Sequence, residues 1–183
     1  MMLAVPFYSQ YAPEVPVEWR RRACGIAALH MALAAKDASG AIRTDSLIEE
    51  GIASGAYVPG IGWKHDGLLA LALAHGVPAY RKEFGTRKFP RRFRTLLSPI
   101  AHWFAGNGVH ILRKTLDRGA IPIVSLTTGS TDTHLVVLTG YEKGNAAGFY
   151  YHDPAGEEKD NKNRFMDGAT FAKRWRQMAL FIG

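Results

Sequence analysis

No apolar run in this 183-residue chain approaches the roughly 18–20 residues that cross a bilayer. The longest runs only from Leu68 to Ala74. The first ten residues, MMLAVPFYSQ, have neither a basic n-region nor a continuous apolar h-region, so no secretory signal is expected. Cysteine is nearly absent. Cys24 stands alone, which excludes an intramolecular disulfide and a CxxC zinc site and suits a reducing compartment. A cytoplasmic location is the resulting expectation. Internal repeats, low-complexity tracts and Pro/Gly/Ser linkers are also missing, so residues 1–183 read as a single domain. Acidic residues are the minority, 16 against 23 basic ones, for a net charge of +7 and a pI of about 9.7. Such a surface attracts nucleic acid, anionic lipid or acidic peptide without choosing among them.

What is present is enough to fold. Hydrophobic residues make up 47% of the chain and charged residues 21%, which excludes a mainly disordered polymer. After an extended opening, LAVPFYSQY, Pro13 and Pro16 predict a loop as far as Trp19. Cys24 to Ala35 reads as a buried helix. Thr44 to Gly51 reads as a second, capped by Thr44 and stopped by Gly51. Gly55, Pro59, Gly60 and Gly62 mark a loop, and Asp66 serves as N-cap for a helix to His75. Val77 to Phe84 is expected as a strand, and Val109 to Arg118 as a helix. The period then changes. IPIVSL at 121–126 and HLVVLTGY at 134–141 are β-branched runs, and GFYYH at 148–152 pairs with the second across EKGNAA. A last amphipathic helix is expected from Thr170, with Phe171 and Trp175 on one face. Helices first and a sheet second make an α+β pattern.

Four residues carry the candidate chemistry. Cys24 opens a helix, where unsatisfied N–H groups and the helix dipole favour a thiolate, and Arg21 and Arg22 add positive charge nearby. Gln10 lies fourteen residues upstream, in a polar spot after a strand-like segment. His134 enters one strand of the hairpin and Asp153 leaves the other. With a turn near Lys143 to Asn145, antiparallel pairing sets them across from each other to within a couple of residues. An imidazole beside a carboxylate is what a general base and its orienting partner need. Nothing in this hairpin geometry itself brings Cys24 to the pair.

The segments VPFYSQ, W…ACGIAALHMAL, GAIPIVSL…HLVVLTGY and YYHDPAG closely resemble the bacteriocin-processing, double-glycine-leader peptidase-like group of papain-like cysteine peptidases. The resemblance runs from Val5 to about Trp175. It implies a papain-like fold, a helical N-terminal half packed on an antiparallel sheet. It also implies a thiol hydrolase acting on a peptide or related amide, with Cys24 as nucleophile, His134 as base, Asp153 as orienter and Gln10 as oxyanion-hole donor. On that mechanism Asp153 is expected to accept from the imidazole Nδ1–H, leaving the other ring nitrogen for Cys24. The chain departs from the group at Ala23, where many relatives have an acidic or polar residue. GAYVPGIGW at 55–63 has two glycines at P-loop spacing but lacks the Lys-Ser/Thr, so no ATP-binding motif accompanies the peptidase-like pattern.

Other readings stay open at this point. A non-catalytic peptide-binding module on the same fold, or an acyl or amide transferase using the same thiol, fits the same residues. His30 falls roughly opposite Cys24 on its helix and reads as a surface or core polar residue. His65, His75, His102 and His110 lack ligand spacing, and His152 points away from the face of Asp153, so neither a metal nor a cofactor is expected. The stretch RKEFGTRKFPRRFR at 81–94 interleaves Arg and Lys with Phe84, Phe89 and Phe93. It reads first as a solvated loop whose phenylalanines dock on the domain, and otherwise as a groove wall for an acidic peptide. Without an accompanying motif, nucleic acid is not the expected partner.

Overall fold

The computed structural model describes residues 2–36, 41–84, 98–128, 132–144 and 147–183. Its helices come first. They are α1 (Cys24–Ala34), α2 (Thr44–Ala53) and α3 (His65–Ala74), with a two-stranded hairpin of β1 (Tyr57–Val58) and β2 (Gly62–Trp63) between the last two. Next come β3 (Ala79–Glu83), α4 (Ser98–Asp117), β4 (Ile121–Thr128), β5 (Asp132–Glu142) and β6 (Gly148–His152). The chain ends with α5 (Glu158–Asn161), β7 (Arg164–Asp167), α6 (Gly168–Arg174) and β8 (Trp175–Ile182). Six strands make one antiparallel sheet in the order β3-β8-β4-β5-β6-β7. The α+β architecture expected from the sequence is the one found.

The sheet has an apolar layer on each face. On one, α1 packs Ile26, Leu29 and Leu33 with Leu47, Leu68, Leu135, Val137 and Leu180. On the other, Leu112 and Leu116 of α4 pack with Val124, Val136, Phe149, Phe171 and Trp175. Alternation along β5 explains the division, since Leu135 and Val137 belong to the first layer and Val136 and Leu138 to the second. α1 is buried along nearly its whole length, which is why its sequence shows no polar face.

Several expectations need correction. The last helix is shorter than expected. α6 ends at Arg174 and Trp175 begins β8, which lies inside the sheet between β3 and β4. The run MALFI at 178–182 is buried throughout, and a short apolar run of that kind is as compatible with an interior strand as with a helix. Phe171 and Trp175 still meet, their rings stacked 5.3 Å apart. The expected caps are displaced too. α2 and α3 start after Arg43 and Lys64 without side-chain caps, while Thr44 turns inward to His30. Gly51 does not stop α2. The Trp63 ring packs so close that a Cβ at Gly51 would lie 2.5 Å from it, and the chain turns instead at Gly55, with φ of 68°. The loop expected around Gly55–Gly62 folds into the β1–β2 hairpin, and α4 begins at Ser98 rather than Val109. In the basic stretch 81–94, Phe84 is buried against Trp175 and Phe181. Residues 85–97, with Phe89 and Phe93, lie outside the described residues.

Candidate active site

The site is assembled at one end of the β5–β6 pair. Val137 faces His152 across the ladder, and a register shift between Leu138 and Gly140 moves Asp153 one residue nearer His134. The result is a contact of 2.6 Å between His134 Nε2 and Asp153 Oδ1. The ring nitrogen is not the expected one. With Nε2 on the carboxylate, Nδ1 is left for the Cys24 thiol, which is His134's other side-chain partner. Asp153 is held in turn. Its Oδ1 also accepts from the Ala155 N–H at 3.0 Å, its N–H donates to the Asn161 carbonyl, and Arg164 Nη1 stands 3.5 Å from Oδ2.

Cys24 is the first residue of α1 and half-buried. Burial alone would push its thiol up. The His134 hydrogen bond and charge, with the backbone N–H groups of Leu135 and Gly25, outweigh that and hold it below its ordinary value. Arg21 and Arg22, expected to help, are not among the largest influences on it, and Arg22 is directed at the Tyr57 hydroxyl. Burial likewise opposes the charged form of His134, but Asp153 and Cys24 together raise it to about 9. Asp153 would be raised by burial and is instead lowered, chiefly by His134, with help from the Ala155 N–H and Arg164. A thiol pulled down beside an imidazole pulled up is a pair that can exist as thiolate and imidazolium near neutral pH.

Gln10 belongs to the same neighbourhood. Its backbone N–H donates to the Pro154 carbonyl at 2.8 Å, one residue beyond Asp153. Its side chain, only 4% exposed, donates from Nε2 to the Arg20 carbonyl at 2.7 Å, in the loop that leads to Cys24. That bond uses one of the two amide hydrogens. Oε1 is buried with no partner among the described residues. All four sequence candidates therefore belong to one region of the fold.

His30 and His152 are engaged elsewhere. His30 is buried, stacked 3.7 Å from Tyr8 and bonded to Thr44 Oγ1 and the Ile42 carbonyl. His152 donates to the Val5 carbonyl from Nε2 and accepts the Asn163 N–H at Nδ1. Among the described residues no cluster of His, Cys, Asp and Glu is suited to a metal ion, and no helix is long and apolar enough to cross a membrane.

A feature not foreseen from the sequence is a groove of about 880 Å³ that opens at Cys24. Trp19, Tyr57 and Trp63 line it, with ring centroids 4.7 to 5.8 Å apart. The signal available was the pair Tyr57 and Trp63 within the glycine-rich 55–63 segment, but only folding shows that Trp19 joins them.

The comparisons agree with this architecture. The peptidase domain of an AMS/PCAT transporter, described as a double glycine motif protease in complex with the leader peptide, superposes with a TM-score of 0.58 at 18% identity, over 99% of this chain and 93% of that one. The peptidase domain of Streptococcus ComA, a bifunctional ABC transporter of a quorum-sensing pathway, gives 0.58 at 18% identity over 89% and 92%. That of Streptococcus mutans ComA with a small-molecule inhibitor gives 0.50 at 15% over 97% and 98%. These likenesses concern the fold, and no curated protein matches the chain. The family model for the Peptidase_C39 like family matches residues 2–180, so the chain belongs to that family of cysteine peptidases.

Proposed function

We propose that residues 1–183 act as one cytoplasmic peptidase-like unit that hydrolyses a peptide bond, or a chemically related amide, through Cys24. The observation that carries the proposal is the unbroken chain Cys24–His134–Asp153, with the thiol held below its ordinary value and the imidazole raised to about 9. The lone cysteine suits a reducing compartment, and the peptide bound to the AMS/PCAT relative favours a peptide substrate.

In this mechanism the Cys24 thiolate attacks the substrate carbonyl carbon and the C=O electron pair moves to oxygen. The Cys24 backbone N–H and the second amide hydrogen of Gln10 stabilise that oxyanion. As the tetrahedral adduct collapses, His134 gives the Nδ1 proton to the departing amine and a thioester remains on Cys24. Water, deprotonated by His134, attacks the thioester, and the carboxylic acid leaves while the thiol is regenerated. Asp153 stays ionised throughout and keeps the ring oriented.

The test is turnover of a diverse peptide library together with labelling by a thiol-reactive peptide probe. Cleavage that disappears in Cys24→Ala, with label on Cys24 in the wild type, supports the proposal. A fully folded protein that neither cleaves nor takes the probe contradicts it.

A further inference from the structure

The two carboxylate oxygens of Asp153 have different partners. Oδ1 meets the His134 ring nitrogen at 2.6 Å and accepts the Ala155 N–H at 3.0 Å. Oδ2 faces Arg164, whose Nη1 is its partner among the described residues at 3.5 Å. At that length the contact is chiefly one of charge. The Asp153 side chain is only 17% exposed, so a cation beside Oδ2 is felt at Oδ1 as well.

Arg164 is placed there by the segment that follows the Asp153 turn. It opens β7 opposite Tyr151 of β6, and its guanidinium lies 5.6 Å from the centre of the Tyr151 ring. Nη1 also donates to Asn161 Oδ1 at 3.2 Å. Asn161 is tied twice more, with Nδ2 donating to the Glu157 carbonyl and its own carbonyl accepting the Asp153 N–H at 2.9 Å. A Cβ at Gly156 would collide with the Asn161 side chain, so this packing needs glycine there. Asn163, at φ of 52°, donates its N–H to His152 Nδ1 and fixes the backbone just before Arg164. One short stretch, 161–164, thus holds both the main chain of Asp153 and its second oxygen.

Cys24 from α1 and Asp153 from the end of β6 are the ionisable groups that bear most on His134, and Arg164 reaches the ring through Asp153. A carboxylate shared with no second cation would hold the imidazolium more firmly. That firmness opposes transfer of the Nδ1 proton to a departing amine. Resting on the hydrolase reading above, we propose that Arg164 is a positioning residue acting through Asp153. By facing Oδ2 it keeps Oδ1 on the imidazole and takes up part of the carboxylate's charge, so that His134 releases its proton to the leaving group more readily.

The test uses Arg164→Gln and Arg164→Lys in two measurements. The first is the pH profile of kcat/KM on a library peptide that the wild type cleaves. The second is an NMR titration of the His134 ring, assigned by its loss in His134→Ala, which needs no substrate. In Arg164→Gln the ring should keep its proton to higher pH, so the NMR midpoint and the alkaline limb both move up. That direction is opposite to the one expected when the carboxylate itself is removed. kcat/KM at its optimum should fall about two- to fivefold, the scale of a half-exposed ion pair. Arg164→Lys keeps the charge and should return the midpoint and most of kcat/KM. The Arg164 side chain is 46% exposed on an edge strand, so both variants are expected to fold, and thermal melts check this. A folded Arg164→Gln whose His134 midpoint stays in place or moves down overturns the inference. So does an Arg164→Lys whose midpoint moves as far as that of Arg164→Gln. An upward midpoint in a protein that cleaves nothing keeps the link from Arg164 to His134 and removes the hydrolase. Cleavage with an unmoved midpoint keeps the hydrolase and removes Arg164 from its working parts.

Discussion

His134 Nε2 sits 2.6 Å from Asp153 Oδ1, so the carboxylate fixes the imidazole with Nδ1 turned to Cys24. Everything proposed about the chemistry depends on that orientation. It also determines how activity should depend on pH.

The kcat/KM profile is expected to be a bell. Its acidic limb marks formation of the Cys24 thiolate, below the ordinary range of a thiol, and its alkaline limb marks loss of the His134 proton near pH 9. Asp153→Ala should lower kcat/KM by roughly 10²–10⁴-fold and move the alkaline limb to lower pH. The sign follows from the imidazolium losing the negative charge that raises it. The same raised value makes the His134 contribution to stability fully present below 6.5 and lost as pH rises through about 9. A limb that stays in place in Asp153→Ala would show that the carboxylate does not act on the ring.

Gln10→Ala is expected to reduce kcat by about 10²–10³-fold, with a smaller effect on KM. The variant also removes the donor to the Arg20 carbonyl, so about 1–3 kcal/mol of stability should go with it. Thermal melts alongside the kinetics separate the two effects. An unchanged kcat in a destabilised protein would make Gln10 a purely structural tie between Pro154 and Arg20.

Much of this site was legible in the sequence because it is local. His134 and Asp153 are ends of one hairpin, and turn position with strand register nearly suffices to bring them together. The ring nitrogen was not legible, since it depends on where the β5 irregularity puts the imidazole. Cys24 at a helix start was readable, but its distance from the hairpin along the chain was not bridged by any local rule. The resemblance supplied that link. The main failure was β8. MALFI carries no period that separates a strand from a helix, and only pairing with β3 and β4 decides the matter. The aromatic groove was missed for a similar reason, because Trp19 and Trp63 are brought together by tertiary packing.

Trp175 shows the cost of that packing. It is buried, stacked on Phe171 and near Phe84, and its indole N–H donates to the Met178 carbonyl. Trp175→Ala should destabilise the protein by about 3–5 kcal/mol. Urea titration gives the value, and a loss below about 1 kcal/mol would mean that the second apolar layer is not organised around this ring.

Gly51→Ala reverses the usual helix rule. Replacing a mid-helix glycine by alanine ordinarily gains up to about 1 kcal/mol. Here the new methyl would stand 2.5 Å from Trp63 Cζ3, so the expectation is a net loss of about 1–3 kcal/mol together with altered Trp fluorescence. A more stable variant with unchanged fluorescence would place Trp63 away from α2.

The most direct test of the Cys24–His134 pair is the pH dependence of Cys24 alkylation by iodoacetamide, at low reagent concentration, in wild type and in His134→Ala. If the imidazolium holds the thiolate, the wild-type rate rises at a pH below the ordinary thiol range, and the His134→Ala curve is displaced to higher pH, with slower alkylation near neutrality. Curves that overlay would contradict the ion pair and with it the assignment of His134 as the base.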